Sequence, residues 1–88
     1  MITSTNNVET LVRAKGARFD GNLLYITLSD EREISLPIHQ MSWLKWLANA
    51  TPEQRAKCTL EPGGFAIYWE ELDDGIEISH LLSIQVLG

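Results

Sequence analysis

The sequence predicts an α+β domain: an antiparallel three-stranded meander, a helix–break–helix packed on the sheet, then one or two short C-terminal strands and a short terminal segment. Three observations predict it. Apolar residues alternate with a period of two between residues 23 and 38, as in strands buried on one side. The period changes to three and four over residues 40–58, which marks a helical face. Asp20-Gly21-Asn22, Pro62-Gly63-Gly64 and Asp73-Asp74-Gly75 then cut the chain into short elements. With 88 residues there is room for one core, so residues 1–88 are read as a single domain.

The first strand is expected over Leu11–Phe19, interrupted by Gly16 and closed by the Asp20-Gly21-Asn22 turn. In residues 23–30, Leu24, Ile26 and Leu28 share one face and Tyr25, Thr27 and Ser29 the other. Residues 33–38 repeat the pattern with Ile34, Leu36 and Ile38 inward. Asp30-Glu31-Arg32 lacks the glycine that tight hairpin turns prefer, which predicts a longer or bulged connection. Met41, Leu44, Leu47 and Ala48 then mark a helix, with Trp43 and Trp46 on an adjoining stripe. Asn49-Ala50 interrupts it. Thr51-Pro52-Glu53-Gln54 restarts it at about residues 52–58, with Thr51 as cap, Pro52 at the first helical position and Gln54 completing a capping box. Phe65–Trp69 reads as a compact aromatic strand and residues 76–79 as a shorter one. His80–Val86 is apolar and fits strand or helix equally.

Composition excludes several classes of function. The longest apolar run, Phe65–Trp69, is far short of the ~20 residues of a membrane helix, so no membrane association is expected. Met1–Leu11 has neither the basic residue nor the apolar stretch of a signal peptide. A single thiol, Cys58, cannot make an internal disulfide, and the expected location is cytoplasmic. The formal charge of −5 is unevenly spread. Residues 1–57 carry seven bases and six acids, whereas residues 58–88 carry six acids and no base. A phosphate-gripping surface needs clustered Lys and Arg, so direct nucleic-acid binding is not expected.

The residue types that carry chemistry do not converge. Cys58, His39 and His80 lack the spacing of a zinc site. Cys58 is expected near the end of the second helix, where the helix dipole raises a thiol's pKa. Glu70, Glu71, Asp73 and Asp74 do not follow a calcium-loop pattern, and Pro62-Gly63-Gly64 has no lysine behind it to hold a phosphate. No catalytic residue, metal or cofactor is assigned. The acidic residues Glu70, Glu71, Asp73 and Asp74, with Trp46 and Tyr68 as candidates for an exposed aromatic patch, are instead expected to bind a partner.

A set of short motifs carries a resemblance. Ala50-Thr51-Pro52-Glu53-Gln54-Arg55-Ala56 is followed by Leu60-Glu61-Pro62-Gly63-Gly64-Phe65 and by Tyr68-Trp69, Leu72-Asp73 and Ile76. Upstream lie Ala17-Arg18-Phe19-Asp20, Leu28-Ser29-Asp30 and Leu36-Pro37-Ile38, and Leu81-Leu82 lies near the end. Over about residues 14–82 the chain resembles the small bacterial domain of unknown function family 2442. It departs from the family pattern at Glu31, Tyr68 and Glu70, where members typically carry glycine, histidine and proline. The resemblance implies an α+β fold like the N-terminal domain of a protein that continues into a helix-turn-helix, an extension for which this chain has no room. It also implies an antitoxin-like member of a two-protein arrangement, and it brings no enzymatic activity.

Three functional expectations follow. The first is a non-enzymatic interaction module, antitoxin-like, docking a small basic protein through the acidic and aromatic residues named above. The second is a small-ligand-binding or catalytic domain, which requires a concave pocket with convergent polar groups. The third is a self-associating domain, a homodimer built on an exposed edge or apolar patch.

Overall fold

Alternation in the first half of the chain is realised as a sheet with one dry face. In the computed structural model, which describes residues 12–87, β1 (Ala14–Asp20), β2 (Leu23–Leu28) and β3 (Glu33–Pro37) form an antiparallel meander in that order. Leu24, Ile26, Leu28, Leu36 and Ile38 are fully buried and Ile34 nearly so, as the period of two predicts. The first strand starts later than expected and takes in Asp20, and Leu11 lies outside the described residues. Gly16 marks a bulge. Register shifts between Ala14 and Gly16, so Ala14 pairs with Leu28 while Ala17 pairs with Ile26. The extra residue lets Ala14 and Ala17, three apart, both face the core, which a regular strand could not do.

The two hairpin connections differ as the residues foretell. Gly21 takes φ 60° at the first position of a two-residue turn, where a mirror-image hairpin turn admits glycine. The connection from β2 to β3 is longer, and Glu31 adopts φ 76° between Leu28 and Arg32, whose amide and carbonyl close the loop at 2.8 Å.

The expected first helix is broken into smaller pieces. Two one-turn 3-10 helices, Ile38–Gln40 and Ser42–Leu44, flank an extended Met41 and lead into α1 (Lys45–Ala48). No side chain caps any of these starts, so nothing offsets the cost of nucleating a longer helix. The restart is as predicted. In α2 (Pro52–Ala56), Thr51 accepts from the Gln54 amide at 3.1 Å and the Gln54 side chain accepts from the Thr51 amide at 3.0 Å.

The C-terminal part holds one element more than the sequence shows. β4 (Cys58–Leu60), β5 (Ala66–Trp69) and β6 (Asp74–Glu77) form a second antiparallel meander, and α3 (Ile78–Leu87) follows. Cys58 therefore opens a strand and does not end a helix. Its thiol pKa is raised, and the cause is burial, not a helix dipole. In α3, Ile78, Leu81 and Leu82 recur at three- and four-residue spacing and turn inward, which resolves the ambiguous segment as helix.

The two sheets meet at Trp69. Its ring is fully buried, with Phe19 from the first sheet at 6.4 Å and Trp46 from the helical layer at 5.6 Å, both edge-on. The indole N–H donates to the Arg55 carbonyl at 2.8 Å. Arg55 in turn donates to the carbonyls of Leu47 (3.1 Å) and Ala48 (2.8 Å), satisfying the open end of α1. One arginine thus ties both helices to the seam between the sheets.

Candidate functional site

Strand alternation in the second sheet decides where the candidate residues point. Ile67 and Trp69 face the core, so Tyr68 between them faces the other way, in register with Thr59 and Gly75. Its ring lies over Gly75, where an added Cβ would come within 3.2 Å of the ring and 2.5 Å of the Ile67 carbonyl oxygen. Glycine is required there by this close approach. The phenol reaches past it and donates to Asp73 Oδ1 at 2.7 Å.

The acidic residues surround this tyrosine on the connection from β5 to β6. Glu70, Glu71 and Leu72 form a 3-10 turn, Asp73 follows in the left-handed region at φ 52°, and Asp74 begins β6. Asp74 accepts from the Gly75 amide at 2.8 Å, and Glu71 pairs with Lys57 at 2.9 Å. Glu61, Glu70, Asp73, Asp74 and Glu77 are exposed and make no ion pair among the described residues. The Tyr68 pKa is raised above its ordinary 10.0, first by the hydrogen bond to Asp73, then by desolvation and by the charges of Asp73, Glu70 and Glu61.

This shift has a sign that can be tested. The protonated phenol is the favoured form, so its stabilising effect is present at all pH values below the ordinary tyrosine range. It is lost only as pH rises through the higher folded-state value. Asp73→Asn is expected to bring the Tyr68 titration, followed by NMR of its ring resonances, back toward the ordinary value. An unchanged midpoint would show that Asp73 does not hold the phenol.

The structure brings Tyr68 together with Glu70, Asp73 and Glu61, and it separates all of them from Trp46. Trp46 is half-buried on the opposite face of the second sheet, packed on Trp69, and its indole N–H donates to the Trp43 carbonyl at 3.0 Å. The two aromatic candidates therefore do not form one patch. Among the described residues the large apolar side chains that are exposed are Leu60 (41%) and Phe65 (45%), at either end of the turn between β4 and β5. The Arg13 guanidinium covers the Phe65 ring at 5.3 Å. Phe65 reads from the sequence as part of the compact aromatic strand and Leu60 as part of no element, so neither exposure was legible there.

The potential metal ligands lie apart. Cys58 is in β4, His39 is in a 3-10 turn, and His80 sits on α3 edge-on to Trp43 at 5.3 Å. No group of three or more His, Cys, Asp or Glu among the described residues is arranged to hold a metal ion. No helix among them is long and apolar enough to cross a membrane.

Comparison with known proteins fixes the relationships. No curated protein matches the chain. A protein of unknown function from Rhodospirillum rubrum, known from a crystal structure, is 22% identical with a TM-score of 0.68, over 82% of this chain and 86% of that one. An uncharacterized protein from Chromobacterium violaceum, solved by NMR in solution, is 20% identical with a TM-score of 0.68, over 91% of this chain and 76% of that one. At these identities the likeness is one of fold. The family model described as "Protein of unknown function (DUF2442)" matches residues 14–85, and the chain belongs to that family.

Proposed function

We propose that this protein is a non-enzymatic interaction module that docks a small basic protein on the acidic outer rim of its second sheet. An antitoxin-like role in a two-protein system is the form that reading takes. The observation that carries it is the set of five exposed carboxylates, Glu61, Glu70, Asp73, Asp74 and Glu77, without ion pairs among the described residues and on a stretch of chain that has no Lys or Arg of its own. In the first sheet Lys15–Glu31, Arg18–Glu33 and Arg32–Asp30 pair their charges locally. Single exposed pairs contribute little, but a field of one sign steers a complementary partner and sets its orientation.

The test uses the partner recovered with the full chain from its native host at low salt. The quadruple variant Glu70→Gln, Glu71→Gln, Asp73→Asn and Asp74→Asn is expected to bind it about 10- to 100-fold more weakly, mostly through a slower on-rate, and the wild-type complex to weaken with added salt. Equal affinity of variant and wild type, or an affinity indifferent to salt, would overturn the proposal.

A further inference from the structure

Each three-stranded meander turns one of the chain's two tyrosines outward from its middle strand, and their surroundings correspond position by position. In the first sheet Tyr25 of β2 lies between Arg18 of β1 and Ser35 of β3. In the second, Tyr68 of β5 lies between Thr59 of β4 and Gly75 of β6. Two residues before Ser35 stands Glu33, at the hairpin end of β3. Two residues before Gly75 stands Asp73, at the matching end of its hairpin, where it accepts from the Tyr68 phenol at 2.7 Å. Both sheets therefore carry an outward tyrosine with a carboxylate on one diagonal.

The first sheet shows what such an arrangement holds. The Arg18 guanidinium lies 4.2 Å from the Tyr25 ring centroid, and its Nη2 is 3.5 Å from Glu33 Oε2. One planar cation thus stacks on the ring and ends at the carboxylate. In the second sheet the place of Arg18 belongs to Thr59, which is short and exposed. Residues 58–88 contain no Lys or Arg, and none from the other described residues lies over Tyr68. The ring is half-exposed, and Glu61 and Glu70 stand close to it besides Asp73. The phenol uses Asp73 Oδ1, so Oδ2 can take a second donor.

We infer that the outer face of the second sheet binds an arginine side chain of the basic partner, stacked on Tyr68 beside Thr59 with its guanidinium directed at Asp73. The inference rests on the docking proposed above and names the side chain recognised there. Charge alone would accept lysine as readily. The ring makes the difference, because a flat and weakly hydrated guanidinium stacks on a phenol while still donating to a carboxylate. A compact, strongly hydrated ammonium does this less well.

The probe is the blocked tripeptide acetyl-Gly-Arg-Gly-amide, titrated at low salt into the labelled full chain, with its lysine counterpart alongside. The arginine peptide is expected to shift the Tyr68 ring and Gly75 amide resonances and to bind about threefold more tightly than the lysine peptide. Tyr68→Leu is expected to abolish that preference and leave both peptides the weaker attraction of the carboxylates. Thr59→Arg rebuilds the arrangement of the first sheet within one chain. As a tethered competitor it is expected to weaken the arginine peptide about tenfold, and Thr59→Lys to weaken it less. Comparison of the two peptides makes the point without altering the protein.

Three results would overturn the inference. One is an arginine peptide that leaves Tyr68 and Gly75 unmoved. Another is equal binding of the two peptides. The third is a preference for arginine that survives Tyr68→Leu. None of these uses the partner recovered from the host, so the two readings fail separately. Loss of that partner in the quadruple variant, with no preference between the peptides, overturns the arginine site alone. A partner indifferent to the quadruple variant, with the preference present, overturns the docking alone.

Discussion

Trp69→Ala is expected to destabilise the domain by about 3–5 kcal/mol, the largest effect of any single side-chain truncation in the chain. The indole is fully buried where both sheets and the helical layer meet, and removing it deletes the edge contacts to Phe19 and Trp46 together. The Arg55 carbonyl loses its donor as well. A domain of this size has on the order of 5 kcal/mol of stability, so the variant should keep at most about 2 kcal/mol and be only marginally folded at ambient temperature. Urea denaturation followed by circular dichroism checks it. Trp69→Phe keeps most of the apolar area but not the N–H, and should cost less. A Trp69→Ala protein within about 1 kcal/mol of wild type would mean that the seam can collapse around the missing ring.

Gly64→Ala is expected to cost about 2–4 kcal/mol, and comparison with Gly63→Ala separates its two causes. Both glycines lie in the turn between β4 and β5 with positive φ, 84° at Gly63 and 75° at Gly64, so alanine is strained at either. Their surroundings differ. A Cβ on Gly63 would meet the Phe65 ring at 3.0 Å, and that ring is exposed and can turn aside. A Cβ on Gly64 would come within 2.6 Å of the Ala14 carbonyl oxygen, which belongs to the backbone of the first sheet. Gly63→Ala should therefore show the conformational cost alone, about 1–2 kcal/mol. Equal losses in the two variants, measured by thermal or chemical denaturation, would show that the approach of the turn to β1 is not rigid.

What the sequence made legible is what neighbouring residues decide among themselves. The alternation of Leu24, Ile26 and Leu28, the glycine turn at residue 21 and the capping box between Thr51 and Gln54 are all local, and all are found in place. The second sheet was half hidden because β4 is only Cys58-Thr59-Leu60, too short to show a period and directly behind a helix. The broken helix before α1 was hidden for the opposite reason. Met41 and Leu44 match helical spacing, but no capping side chain starts a helix there, and Met41 remains extended.

At the candidate site, the acidic turn could be read directly from Glu70, Glu71, Asp73 and Asp74. The pairing of Trp46 with Tyr68 could not survive the pleat, because Tyr68 must face away from Trp69, on which Trp46 packs.

Both sheets are wound from strands that follow one another in the chain, and no strand pairing crosses between them. This has a kinetic consequence. Each hairpin closes a short loop and carries little entropic cost, so either sheet can assemble from contacts already near at hand. The long-range ordering that remains is the docking of the two sheets, around Trp69 between Phe19, Trp46 and the Arg55 carbonyl and where Gly64 meets the Ala14 carbonyl. The cooperativity of the domain is therefore expected to reside in that docking, not in either three-stranded ribbon alone.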